Sequence, residues 1–279
     1  MRVLVTGSEG FLGQRLCALL ETETDHEILR YDLHLGHDVL NARQFDAALD
    51  GVDACIHLAA IADLYIAEKD PERTQQVNVE ATRIVLEACN RHDVRLLYAS
   101  TVCAYGNNKH EESDENSPLA PTEIYASSKA AGESLLADQL EKHSIMRLAT
   151  FYGPGMRQSL ATSVFLNALL KDEPLQVHGD GQQTRCYTHV DDVSSGIICI
   201  LESEATGVFN IASEEELSVL ELIALLSKVT NKVAHVEFVD DRVGQIRKSK
   251  ISSKRLNSLG WWPRYTIEDG LMSCLSSIE

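Results

Sequence analysis

Tyr125-Ala126-Ser127-Ser128-Lys129 sets a phenol and an ammonium four residues apart, a spacing that puts both on one face of a helix. A phenol is a poor base at its ordinary pKa of ~10. A nearby cation stabilises the phenolate, so the pair can take a proton from an alcohol while a hydride leaves the alcohol's carbon. The same spacing also occurs on helix surfaces that do no chemistry, so its meaning depends on what lies upstream. One strand earlier, Arg95-Leu96-Leu97-Tyr98-Ala99-Ser100-Thr101 ends in two hydroxyls. At the start of the chain, Thr6-Gly7-Ser8-Glu9-Gly10-Phe11-Leu12-Gly13 follows the apolar run Val3-Leu4-Val5 and leads into Leu16, Ala18, Leu19 and Leu20 at helical spacing. The pattern is strand, glycine turn, helix. Gly7 can adopt a backbone conformation closed to other residues, Gly10 lets a phosphate reach the main chain, and Gly13 lets the helix pack closely. The helix's free N–H groups and positive dipole end suit a pyrophosphate. A glycine turn that holds nothing is the plainer alternative.

The next strand, His26 to Asp32, ends in an acid. Its distance from the turn is close to the ~20 residues expected of a carboxylate that binds an adenosine ribose. Asp32 there would accept both ribose hydroxyls and repel a 2′-phosphate, which favours NAD over NADP; a solvated strand end is the competing reading. Asp38-Val39 falls where a chain crossing under the adenine would pin the base. A third strand, Val52 to Ala60, ends in small residues that let the backbone lie against a cofactor. His57 within it reads as a satisfied buried histidine ahead of a catalytic one. A helix over Glu72–Arg91 follows, with Val77, Ala81, Ile84, Val85 and Ala88 on one face and Asn78 near its start, placed to reach the cofactor or the next strand. A helix beginning near Thr122 carries Tyr125 and Lys129, and Ser144–Ala149 is a fifth strand.

This alternation predicts an α/β fold with a doubly wound parallel sheet. Beyond Gly153-Pro154-Gly155 a helix over 158–171 and short strands mixed with helices read as a smaller lobe closing over the sheet's carboxyl edge. The expected division is 1–152 for the dinucleotide-binding, catalytic part and 153–279 for the substrate lobe, with chain exchange between them left open. The 279 residues carry 42 acidic and 25 basic side chains, a net charge of −17, which argues against nucleic acid or an anionic membrane surface as partner. No run approaches the ~20 apolar residues of a membrane helix. The first strand begins at Arg2, leaving no room for a signal peptide, and seven cysteines without metal-ligand spacing read as reduced thiols; the expectation is a cytoplasmic protein with no metal site.

Taken together, these motifs resemble the extended short-chain dehydrogenase/reductases, specifically the NAD-dependent epimerase/dehydratase family that acts on nucleotide-diphosphate sugars. The resemblance is carried by Thr6-Gly7-x-x-Gly10-Phe11-Leu12-Gly13, His57-Leu58-Ala59-Ala60, Asn78 ahead of Leu86-Glu87-Ala88, Ser100-Thr101 before Tyr105-Gly106, and Tyr125-x-x-x-Lys129. Further matches are Arg147-Leu148 before Tyr152-Gly153-Pro154-Gly155, Gly179-Asp180-Gly181 with Thr184-Arg185, His189 to Val193, Phe209-Asn210-Ile211 and Leu259-Gly260-Trp261. It implies a Rossmann-like fold with NAD as cofactor, held by Gly7, Gly10, Phe11, Leu12, Gly13, Asp32, Asp38, Val39, Leu58, Ala59, Ala60, Asn78, Tyr125 and Lys129. It also implies Thr101 as the hydroxyl on the substrate's 4-OH with Ser100 as fallback, Tyr125 as base, and Lys129 as its electrostatic partner. Thr101, Thr150, Val177, Arg185 and Arg242 would contact the substrate, the two arginines at its diphosphate. A backbone-satisfying strand-end threonine and surface salt-bridging arginines are the alternatives. Asp191 and Asp192 read as helix caps ahead of ligands.

The departures from the family pattern are informative. Members that dehydrate or decarboxylate sugars carry an acid where this chain has Val102-Cys103, and Cys103 reads as packing ahead of a thiolate. Thr150 replaces the usual substrate-contacting Asn, and Gln245 stands where an Asp often follows the second arginine. The resemblance therefore implies a nucleotide-sugar epimerase, inverting C4 of a UDP-hexose or related sugar through a 4-keto intermediate. The rivals are a net oxidoreductase or keto-sugar reductase on the same scaffold, and a silent NAD sensor or scaffold. It further implies a homodimer, formed where helices 72–91 and 123–142 meet their mates, with Ile84, Leu135 and Leu136 as seam candidates and packing within the monomer as the alternative for them.

Overall fold

The computed structural model describes residues 1–107, 112–242 and 244–278; residues 108–111 of the acidic loop between Asn107 and Ser117 lie outside them. The first half alternates strands and helices: β1 (Arg2–Thr6), α1 (Phe11–Glu23), β2 (Glu27–Tyr31), α2 (Ala42–Ala48), β3 (Ala54–His57), α3 (Leu64–Lys69), α4 (Pro71–Gln75), α5 (Ala81–His92), β4 (Arg95–Thr101), α6 (Ile124–Leu136) and β5 (Ser144–Leu148). The second half adds β6 (Thr150–Tyr152), α7 (Ala161–Leu170), β7 (Leu175–His178), β8 (Thr184–His189), α8 (Val190–Glu202), β9 (Gly207–Ile211), β10 (Glu216–Ser218), α9 (Val219–Thr230), β11 (Val236–Val239), α10 (Lys254–Asn257) and α11 (Ile267–Ser276).

The main sheet has the order β2-β1-β3-β4-β5-β9, and every pair in it is parallel. Period-2 alternation sends neighbouring side chains to opposite faces. Val3 and Val5 pack with Leu12, Leu16 and Leu20 of α1 and with Val193, Ile197 and Ile200 of α8. Leu4, between them, joins Phe45 of α2, Val85 and Cys89 of α5 and Leu96 and Tyr98 of β4 on the other side. Strand order reverses between β1 and β3, and the crevice beyond their carboxyl ends is where sheets of this kind take ligands. The smaller lobe has its own apolar cluster, built from α7, α9, α11, β7 and β8.

One feature bears on the chain exchange that the sequence leaves open, and another differs from the sequence reading. The sixth strand, β9, and the covering helix, α8, come from beyond residue 153, so the second half of the chain returns to complete the first half's sheet. The helix expected over 72–91 is α4 and α5 joined by a π-helical turn over Gln76–Glu80, a wider ring that inserts one residue into the helical register. Leu136, read as a seam residue, is fully buried within the monomer. None of the described helices is long and apolar enough to cross a membrane.

Candidate active site

The glycine turn opens at the reversal point of the sheet. Gly7 has φ +70°, and a Cβ there would come within 2.8 Å of the Ala59 nitrogen. A side chain is therefore excluded twice, by backbone strain and by the close approach of Leu58-Ala59. A Cβ on Gly13 would lie 2.0 Å from the Gly7 carbonyl oxygen, so the first turn of α1 presses directly on the glycine turn. Gly10 is exposed, and α1 has neither a side-chain cap nor an acidic residue in its first turn. Its leading amides are thus left for an anion. Asp32, at the end of β2, accepts from the Glu9 amide at 3.1 Å and from the His34 amide at 2.9 Å. Burial works to raise its carboxyl, but the bonds from His34 and Glu9 lower it overall, so an anion stands beside the anion-binding turn. Bare amides flanked by a carboxylate are a lining that fits a dinucleotide. Leu58, Ala59 and Ala60 are partly open beside the turn. Asp38 accepts from the Leu40 amide at 2.9 Å and Val39 is buried, giving a tied segment beside Tyr31.

Two expected ligands are placed otherwise. Asn78 is fully buried; its carboxamide accepts from the Ile61 amide at 2.8 Å and donates to the Ile61 carbonyl and to Ser128 Oγ. It therefore ties the loop after β3 to α6 between Tyr125 and Lys129, which makes it a positioning residue. The π-helical turn delivers Asn78 to that point. Val177 is wholly buried in the apolar cluster of the small lobe and faces no cleft.

β4 and α6 bring the hydroxyls and the Tyr–Lys pair together. Thr101 Oγ1 accepts from the Cys103 amide at 3.1 Å, and its hydroxyl also interacts with the Tyr125 phenol. Ser100 is committed elsewhere, donating to the buried Glu133 carboxylate, which leaves Thr101 as the available hydroxyl. Burial, then the Cys103 thiol, raise the Tyr125 pKa above its ordinary value, and Arg157 and Thr101 offset this only in part; in the cofactor-free protein the phenol is not lowered as the sequence reading expects. Lys129 is 2% exposed, its Nζ 4.9 Å above the Tyr98 ring. Burial lowers its pKa to about 7 against the opposing pull of Glu133. Cys103 is a neutral thiol, its pKa raised by burial. His57, fully buried, has Nδ1 2.7 Å from Thr6 Oγ1 and Nε2 3.2 Å from Thr82 Oγ1. Burial, then the charge of Lys129, lowers its pKa to about 3; it is a neutral structural group.

Arg185 on β8 donates to the Ile246 carbonyl at 2.7 Å, and the Arg242 guanidinium lies 4.7 Å above the Tyr65 ring. Both act on the carboxyl of Glu123, two residues before Tyr125. Thr150 is half-buried on β6. Asp191 and Asp192 sit in the first turn of α8, where His189 is the cap. Asp191 pairs with Arg15 and Asp192 accepts the amides of Arg264 and Tyr265, so both fasten the fold.

Three residues escaped the sequence reading. Arg157 donates to the Ala62 carbonyl and acts on Tyr125. Glu123, two residues before Tyr125, acts on Tyr125, Cys103 and both arginines. Glu133 grips Arg147 at 2.7 Å in a buried pair. Its signal was present, since Tyr125, Lys129 and Glu133 recur every fourth residue. The other two carry none, because only the fold brings their loops together.

The comparisons with known proteins agree with this geometry. The chain is 29% identical over 303 residues to the uncharacterized UDP-glucose epimerase YtcB of Bacillus subtilis, covering 97% of this chain and 96% of that one. It is 28% identical to the dTDP-D-glucose 4,6-dehydratase of Bos taurus, covering 97% and 86%. Among solved structures, the UDP-glucuronic acid 4-epimerase of Bacillus cereus in complex with UDP-glucuronic acid and NAD superposes with a TM-score of 0.92 at 28% identity, covering 100% and 99%. The profile of the NAD dependent epimerase/dehydratase family matches residues 3–212. With its dinucleotide turn, its hydroxyl–phenol–ammonium cluster and that match, the chain belongs to the NAD-dependent epimerase/dehydratase family, and its cofactor is NAD.

Proposed function

We propose that this enzyme is a nucleotide-sugar epimerase that inverts C4 of a hexose, a UDP-sugar by preference, through a 4-keto intermediate. The observation that supports the reading is Thr101 beside Tyr125, with Lys129 one turn further along α6 and no carboxylate at the two positions after Thr101, which are Val102 and Cys103. Elimination chemistry needs an acid there, whereas simple proton exchange at a secondary alcohol does not. Tyr125 accepts the 4-OH proton, and Thr101 holds the substrate oxygen against the phenol. Lys129 contributes positive charge from the next turn of α6, while Arg185 and Arg242 hold the diphosphate. Bound NAD supplies the hydride acceptor at C4 and a positively charged ring that favours the phenolate. Proton and hydride both return to the sugar, so nothing is consumed. The catalytic residues belong to 1–152 and the two diphosphate-binding arginines to 153–279, and we propose that two copies pair through α5 and α6.

The test is to incubate the purified protein with UDP-, dTDP- and GDP-hexoses without added cofactor and to separate the products by chromatography. An epimerase interconverts two sugars with the NAD it carries. A dehydratase gives a 4-keto-6-deoxy sugar, a reductase works only with stoichiometric NADH, and a sensor gives no product. Tyr125→Phe keeps the ring and removes the proton acceptor, so turnover should fall ~10²–10⁴-fold with folding and NAD content intact. Turnover of the Tyr125→Phe protein near the wild-type rate would sink the mechanism.

A further inference from the structure

Two residues before Tyr125 stands an acid that the mechanism does not use. Glu123 is half-buried just ahead of α6, with an extended backbone (φ −127°) and a carbonyl that accepts from the Ser127 amide at 2.9 Å. Its neighbours fix it from both sides. The Ile124 amide donates to Glu68 Oε1 at 3.2 Å. Thr122 Oγ1 donates to the Gly244 carbonyl at 2.8 Å, clamping the strand of chain that bears Arg242 onto this corner. The Glu123 side chain lines that junction, 3.9 Å from where a Cβ on Gly244 would stand. Burial raises its carboxyl above the usual range, and Arg242 and then Arg185 offset that only in part. At its other end it acts on the Tyr125 phenol and the Cys103 thiol. Glu123 therefore lies between Tyr125, two residues further on, and the stretch of chain that carries Arg242.

We infer that Glu123 sets the charge of the sugar this site accepts: it accepts hydrogen bonds from the hydroxyls of an uncharged hexose and repels a sugar bearing a carboxylate. The inference rests on the epimerase reading and narrows its substrate class. Glu68 adds a second negative charge on the same side. Arg157, a further cation acting on Tyr125, donates to the Ala62 carbonyl and lowers the Asp63 carboxyl. A desolvated like-charge pair is the repulsive element by which sites reject near-identical ligands.

The test is titration calorimetry of the NAD-loaded protein with UDP, UDP-glucose and UDP-glucuronate. Wild type should bind UDP-glucuronate at least ~10-fold more weakly than UDP-glucose, and Glu123→Gln should bring the two within ~3-fold. Glu123→Ser should do the same, guarding against a local defect of the glutamine variant. If Glu123 merely buttressed the arginines, the variants would weaken UDP and both sugars in parallel and leave the ratio unchanged, which overturns the inference. Equal affinities in wild type, or binding of neither sugar, overturn it as well. Binding needs no turnover, so discrimination that persists without sugar conversion would refute the epimerase reading alone.

Discussion

Lys129 is a buried cation, and burying it has a cost that can be measured directly. Its pKa falls to about 7 from an ordinary 10.5. An unfolded chain therefore binds this proton over the whole interval from 7 to 10.5, where the folded, cofactor-free protein progressively gives it up. More protons on the unfolded state means that stability rises with pH across that window. Below pH 7 both states are protonated and the folded state carries the full penalty. At ~1.4 kcal/mol per unit, a gap of this size is worth about 3–5 kcal/mol. Lys129→Met keeps a flexible apolar stem over the Tyr98 ring and removes the charge. The NAD-stripped variant should thus be more stable than wild type by about 3–5 kcal/mol at pH 6–7, or roughly 6–12 °C in Tm for a chain of this size. The advantage should shrink to ~2 kcal/mol near pH 9 as wild-type Lys129 neutralises. Urea unfolding of both stripped proteins at intervals from pH 6 to 9.5 reads the difference and its slope. The same variant should lose turnover and retain NAD poorly, a trade of function against stability. A Lys129→Met protein no more stable than wild type at pH 7, with an unchanged pH slope, would refute the buried-cation argument.

Other outcomes follow from the same geometry. With an anionic Asp32 beside the glycine turn, NADP should bind at least ~10-fold more weakly than NAD, and Asp32→Ala should narrow that gap; competition titrations with the two cofactors decide it. Glu133→Ala leaves the Arg147 guanidinium buried without its carboxylate, at a cost of about 3–5 kcal/mol in denaturant unfolding. Replacing both as Glu133→Leu with Arg147→Met should recover most of that loss, and a double variant as unstable as the single one would contradict the account. The proposed pairing through α5 and α6 calls for a dimeric mass by light scattering at micromolar protein, and a monomeric mass counts against it.

The parts of this protein that were legible from sequence are those where chemistry and local geometry coincide. The Gly7 and Gly13 positions could be read because a turn and a helix start demand them, and the structure supplies the contacts in question. Tyr125 and Lys129 share a face because they share a helix. The parallel sheet followed from the alternation of strands and helices. What depends on non-local packing was not legible. The sequence places Asn78 within reach of the cofactor or the next strand, whereas the π-helical turn that bears it brings it onto Ile61 and Ser128. Val177 carries a motif position, yet the small lobe's core claims its side chain. Glu123 and Arg157 lie in loops with no periodicity, so only the closed fold shows that they meet at Tyr125.

The borrowed strand β9 has a consequence for how the chain is made. During synthesis the first 148 residues emerge with five of the six strands, but β5 stays a bare edge until Gly207–Ile211 has left the ribosome. The apolar face above β1 likewise waits for Val193, Ile197 and Ile200. At ~5–20 residues per second, that leaves an interval of seconds in which an unpaired parallel edge and an uncovered face are open to the wrong partner. Gene fragments cut near residue 152 would freeze the nascent protein at that vulnerable stage, and they should collect in the insoluble fraction while the full-length chain does not.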